Sequence, residues 1–109
     1  MLFRSGENIS ASEVEAVVQG IAGVAEVAAY AVKSEIAGGE DEVMLAVVPE
    51  AGATLTAEEL GAQAAARLPR FANPRYVALL PELPKTATGK VQREVLRKRG
   101  TTGAVDRSA

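Results

Sequence analysis

The sequence predicts an α+β domain: a small, mostly antiparallel three-stranded sheet with flanking helices, preceded by a short N-terminal hairpin remnant. Three observations predict it. Apolar residues recur at helical spacing in two segments, and each segment opens on a capping-box match. Runs rich in Val and Ala, bounded by Gly and Pro, supply three strand candidates. A length of 109 residues, 48% of them hydrophobic when alanine is counted, is enough for one core and too little for two.

Taken in order, residues 1–9 begin apolar at Met1-Leu2-Phe3 and turn at Arg4-Ser5-Gly6-Glu7-Asn8, as the second half of a hairpin would. Ser10-Ala11-Ser12-Glu13 is a capping box, and Val14, Val17, Val18 and Ile21 follow on one helical face, so a helix is expected over 11–20. Residues 24–33 and 42–49 read as an antiparallel pair joined by a turn at Gly38-Gly39, the second strand apolar enough to be buried on both faces. Thr56-Ala57-Glu58-Glu59 opens a second helix with Leu60, Ala64 and Leu68 as its stripe, and Pro69 ends it. Residues 76–80 form the third strand. The Pro-rich stretch 81–90 is irregular, and 92–99 is a short basic helix with Val95 as its main anchor. One domain over 1–99 and a flexible tail over 100–109 complete the expectation.

Composition removes whole classes of chemistry. The absence of cysteine excludes disulfides, thiolate nucleophiles and zinc–sulfur sites, and the absence of histidine excludes the commonest general base and metal ligand. The acids are not spaced as a metal site. No apolar run reaches the ~18 residues that span a bilayer, and no signal peptide opens the chain, so a cytoplasmic location is expected. The net charge of -2 hides an asymmetry. Residues 1–66 carry two basic residues against eleven acids, and residues 67–109 carry ten against three. A basic C-terminal third on an acidic body points to phosphates, or else to a solvated helix face. The basic stretch has too few aromatics and no reading motif for nucleic acid.

The most informative segment is Pro84-Lys85-Thr86-Ala87-Thr88-Gly89-Lys90. It is not the phosphate loop G-x-x-x-x-G-K-[ST], because Pro84 stands at the first Gly and Val91 follows the lysine. With Arg4-Ser5-Gly6-Glu7-Asn8-Ile9-Ser10 running into Glu13-Val14-Glu15 upstream, and Arg70-Phe71-Ala72-Asn73-Pro74-Arg75-Tyr76-Val77 between, it resembles the C-terminal domain of the adenylate-forming superfamily. That superfamily comprises acyl- and aryl-CoA synthetases, nonribosomal adenylation domains and luciferases. The resemblance covers residues 1 to 99, and the motif forms look most like acyl-CoA synthetases.

The resemblance implies a mobile lid that partners a large N-terminal domain in an ATP-dependent ligase. Such enzymes turn a carboxylic acid, ATP and CoA into acyl-CoA, AMP and pyrophosphate. ATP, CoA and Mg2+ are the implied cofactors, the metal being held by the N-terminal domain. Lys90 is implied as the adenylation lysine, since attack on the α-phosphate gathers negative charge that a flexible cation can meet. Gly89 is expected to let the backbone approach closely. Ser5, Gly6 and Glu7 are implied to line the tunnel for the pantetheine arm, or to form an ordinary turn. Phe71 is implied to stack the CoA adenine, or else to plug the core. Asn73 departs from the basic residue of some members, so Arg70 or Arg75 is expected to contact the CoA phosphate instead. Acetylation of Lys90 by a lysine acetyltransferase would silence the step by removing its charge. The isolated domain is expected to be inert. Two alternatives stay open: a free-standing interaction module that kept the fold and lost the reaction, and the C-terminal part of a nonribosomal adenylation domain. The acyl substrate is not legible.

Overall fold

The computed structural model describes residues 11–32, 42–69, 72–101 and 103–107. The expected hairpin remnant, the Ser10 cap and the turn at Gly38-Gly39 lie outside them. The element order is α1 (Ala11–Gln19), β1 (Val24–Val32), β2 (Glu42–Pro49), α2 (Ala57–Arg67), β3 (Pro74–Leu79), α3 (Arg93–Arg99) and β4 (Val105–Asp106). The sheet runs β1-β2-β3-β4. It has four strands, not the expected three, and it is mixed. The β1–β2 and β3–β4 pairs are antiparallel, and β2–β3 is parallel. A parallel pair cannot be closed by a tight turn, and α2 is its crossover.

The α+β class is as expected, and β1, β2 and β3 alternate between two buried faces. Toward α1 and α2 point Ala29, Val43, Leu45, Val47 and Val77, packed with Val14, Val18, Leu60 and Ala64. Toward α3 point two rows that cross the sheet in register. One is large, Tyr30–Met44–Tyr76, and the other small, Ala28–Ala46–Ala78. Leu80, Leu83 and Leu96 complete that second cluster. With strands on both sides and helices over both faces, β2 is buried from Val43 to Val47. Thr56 caps α2, its hydroxyl accepting from the Glu59 N–H while the Glu59 carboxylate accepts from the Thr56 N–H, as expected from the sequence.

Two expectations are corrected. The segment expected to fray carries β4, which pairs Tyr76 with Asp106 and Val77 with Val105. Arg107 then donates from its guanidinium to the Pro74 carbonyl at 2.9 Å and lies across Gly61 of α2, where a Cβ would collide with it. The anchor of α3 is Leu96, 2% exposed, whereas Val95 is 47% exposed. Residues three apart share a helix face, so a helix that begins at Arg93 and turns Arg93 toward β1 buries Leu96 with it.

The anchor assignment predicts that Leu96→Ala lowers stability by ~2–5 kcal/mol. Val95→Ala should stay within ~0.5 kcal/mol; urea unfolding of the two variants checks both. A second prediction concerns Tyr30, whose buried hydroxyl has no hydrogen-bond partner among the described residues. Burial pushes its phenol up to about 12, against the opposing charge of Arg99. The folded chain therefore holds a proton that the unfolded chain releases near pH 10, so stability falls between about pH 10 and 12, by at most ~1.4 kcal/mol per pH unit. Tyr30→Phe should flatten that fall and leave the chain at pH 8 as stable as before, or more so. Urea unfolding at pH 8 and pH 11 distinguishes the two chains.

Candidate functional site

The loop that carries Lys90 is a miniature hairpin. Lys85 bridges Val91 in antiparallel sense, and the Gln92 N–H donates to the Pro84 carbonyl at 2.8 Å. At its tip the Gly89 N–H donates to the Thr86 carbonyl at 2.9 Å, a β-turn, and the Thr86 N–H donates to the Lys90 carbonyl at 2.8 Å. A turn followed by one residue in the left-handed region is the geometry of a three-residue hairpin loop, and Gly89 supplies that residue at φ +88°. A Cβ on Gly89 would meet nothing within 4 Å in this chain, so the dihedral angle, not close packing within the domain, requires glycine here. The Thr86 hydroxyl accepts from the Lys90 N–H at 3.1 Å and lies 3.0 Å from the Thr88 hydroxyl. Thr86 thus holds Lys90 by both its backbone and its side chain. No role for Thr86 was legible beyond its membership of the motif, although a hydroxyl four residues before a hairpin lysine is a local signal of such a clasp.

Both ends of this hairpin are fastened to the edge strand β1. Lys85 forms an ion pair with Glu26. On the other side, Glu15 of α1 accepts from the Ala29 N–H at 2.8 Å and from Arg93, and Arg93 also donates to the Ala29 carbonyl at 3.4 Å. Glu15 and Arg93 stand 78 residues apart, so no local pattern announces the pair. Between these fastenings Lys90 is exposed and makes no ion pair with any described residue. It opens onto a cleft of about 360 Å³ lined among others by Thr86, Gln92, Arg93, Val95 and Arg97. A cation held outward on a stiff support can meet an external anion without first breaking an internal pair.

Of the other candidates, Gly89 and Arg75 lie among the described residues. Gly89 and Lys90 share the hairpin. Arg75 lies on β3, across β2 from the edge strand, and its guanidinium forks onto Asp106 of β4 at 3.1 and 3.2 Å. It also lies over the Tyr76 ring at 4.9 Å. The hydrogen bond to Asp106 holds its pKa above the ordinary guanidinium value. Asn73 donates to the carbonyls of Leu68 and Pro69, at 3.3 and 3.0 Å, and so fastens the turn after α2. Ser5, Gly6, Glu7, Arg70 and Phe71 lie outside the described residues. Among the described residues no three Asp, Glu, His or Cys side chains converge on a metal position. No helix of the described residues is long and apolar enough to cross a membrane.

Comparison with known proteins converges on one family. The family model of the AMP-binding enzyme C-terminal domain matches residues 13–90. The 4-chlorobenzoate–CoA ligase of Pseudomonas sp. (strain CBS-3) is 43% identical over 97 residues, 88% of this chain and 18% of the relative. The oxalate–CoA ligase of Arabidopsis thaliana is 38% identical over 96 residues, again 88% of this chain and 18% of the relative. Among solved structures, apo MatB from Rhodopseudomonas palustris superposes with a TM-score of 0.81 at 27% identity, over 93% of this chain and 20% of that one. An acyl-CoA synthetase from Brucella canis gives 0.77 at 33% identity, over 89% and 18%. The chain therefore spans about a fifth of the length of each of these four proteins.

Proposed function

The chain belongs to the AMP-binding enzyme C-terminal domain family, and from that premise we propose that it is the mobile C-terminal domain of an ATP-dependent acyl-CoA synthetase. The observation that carries the reading is Lys90, an exposed cation without an ion-pair partner among the described residues, on a hairpin fastened at both ends. In the reaction a carboxylate attacks the α-phosphate of ATP to give an acyl-adenylate and pyrophosphate. The CoA thiol then displaces AMP. During the first step negative charge gathers on the phosphoryl and carboxylate oxygens, and the Lys90 ammonium meets it. Because the hairpin is pinned to the sheet, the lysine travels with the whole domain and only its side chain adapts. The acid and the nucleotide, with Mg2+, are held by the large N-terminal domain, and this domain alone is inert.

For the second step Ser5, Gly6 and Glu7 line the passage of the pantetheine arm and Phe71 stacks the CoA adenine. Arg70 is the better candidate for the CoA phosphate, since the Arg75 fork is occupied by Asp106. A lysine acetyltransferase acting on Lys90 would remove the charge that adenylation requires. The exposure of Lys90 supports that reading also.

In the full-length polypeptide, Lys90→Ala should lower the adenylation rate ~10²–10³-fold, the scale for loss of one stabiliser of a developing oxyanion. Thioester formation from supplied acyl-adenylate should stay within about twofold of the parent, consistent with Lys90 serving only the first transition state. The two half-reactions are measured separately, by pyrophosphate exchange and by CoA consumption. An equal loss in both contradicts the assignment.

A further inference from the structure

Resting on the reading of Lys90 just given, we propose that Arg93 and Glu15 are positioning residues for adenylation, and that they act by tying the Lys90 hairpin and α3 to the edge of β1. Ala29 sits in an edge strand, where its N–H and C=O have no neighbouring strand to bond among the described residues. Glu15 takes the N–H at 2.8 Å, Arg93 takes the C=O at 3.4 Å, and the two side chains pair with each other. The closed circuit joins α1 on one face of the sheet to α3 on the other.

Its reach to Lys90 is short. Arg93 is the third residue after Lys90, at most ~11 Å of extended chain away, and the Gln92 N–H between them is bonded back to Pro84. A change in the seat of Arg93 is therefore carried to the hairpin. The other fastening, Lys85 to Glu26, is more exposed at both ends, 37% and 39%, against 33% and 18% for Arg93 and Glu15. An exposed pair contributes little on its own, whereas a charge-assisted circuit that also satisfies an edge strand is stronger and more directional. The guanidinium matters because it reaches a carbonyl and a carboxylate at once. A lysine ammonium is a compact point charge without the planar fork, so it holds two acceptors less rigidly.

The test is the half-reaction split in the full-length polypeptide. Misplacing a catalytic group by ~1 Å costs ~10²-fold in favourable cases. Arg93→Gln should therefore lower the adenylation turnover at least ~10-fold, with KM for ATP and for the acid within about twofold and the thioester step within about twofold. Arg93→Lys should fall between Arg93→Gln and the parent. Glu15→Gln keeps an acceptor for Ala29 and removes the charge, and it decides on the same terms if Arg93→Gln does not fold. An equal loss in both half-reactions would make the circuit merely structural, and no loss would make it irrelevant to Lys90; either overturns the proposal. Lys90→Ala run in parallel separates the two readings. If Lys90→Ala is crippled and Arg93→Gln is not, this inference alone fails. If Lys90→Ala adenylates normally, both fail.

Discussion

An edge strand has backbone groups that no neighbouring strand can bond. In this domain the middle of β1 solves that problem with side chains: Glu15 accepts the Ala29 N–H, Arg93 donates to the Ala29 carbonyl, and the two charges pair. Much of the molecule depends on this circuit. It blunts an edge that could otherwise recruit a foreign strand. It sets the rotational phase of α3, so that Leu96 enters the core and Val95 faces solvent. It also closes the second end of the hairpin whose first end Lys85 fastens to Glu26.

The hairpin gives its sequence a physical meaning. In Thr-Ala-Thr-Gly-Lys the first Thr closes the turn and clasps the lysine backbone, and Gly89 takes the positive φ that lets the chain rejoin its partner. The lysine stands where the closure leaves it, outside the globule and facing the cleft beside α3. The stiffness of the support and the freedom of the Lys90 side chain divide the labour. The support fixes where the charge is delivered, and the four-carbon stem lets it adapt at the last few ångströms. The charge asymmetry along the chain is consistent with this division, since the acids that fasten the hairpin come from the first third and the cations they hold come from the last.

What was legible in the sequence was what local periodicity controls. Both long helices, the first three strands and the Thr56 capping box follow from spacing and from Gly and Pro punctuation. What was not legible depends on partners far apart in the chain. β4 has two residues in a Thr- and Gly-rich run, and it exists because Asp106 meets Arg75 and Arg107 finds the space over Gly61. With only seven residues in α3, adjacent Val95 and Leu96 compete for one inward position, and Arg93, held through Glu15 on α1, decides between them. Lys90 and Gly89 are legible as candidates because their motif is contiguous. Glu15 and Arg93, 78 residues apart, meet only in three dimensions, whereas the Thr86 clasp spans four residues and has a local signal.

If Lys90 is delivered to the phosphates of a nucleotide held by another domain, an adenosine phosphate ester of pyridoxal should label it in the full-length polypeptide. Its aldehyde captures a nearby amine as an imine that borohydride fixes, and peptide mass spectrometry locates the adduct. The adduct should form on Lys90, and excess ATP should suppress it. An adduct on Lys85 or Lys98 with Lys90 untouched, or labelling of Lys90 that ATP does not diminish, would contradict that delivery.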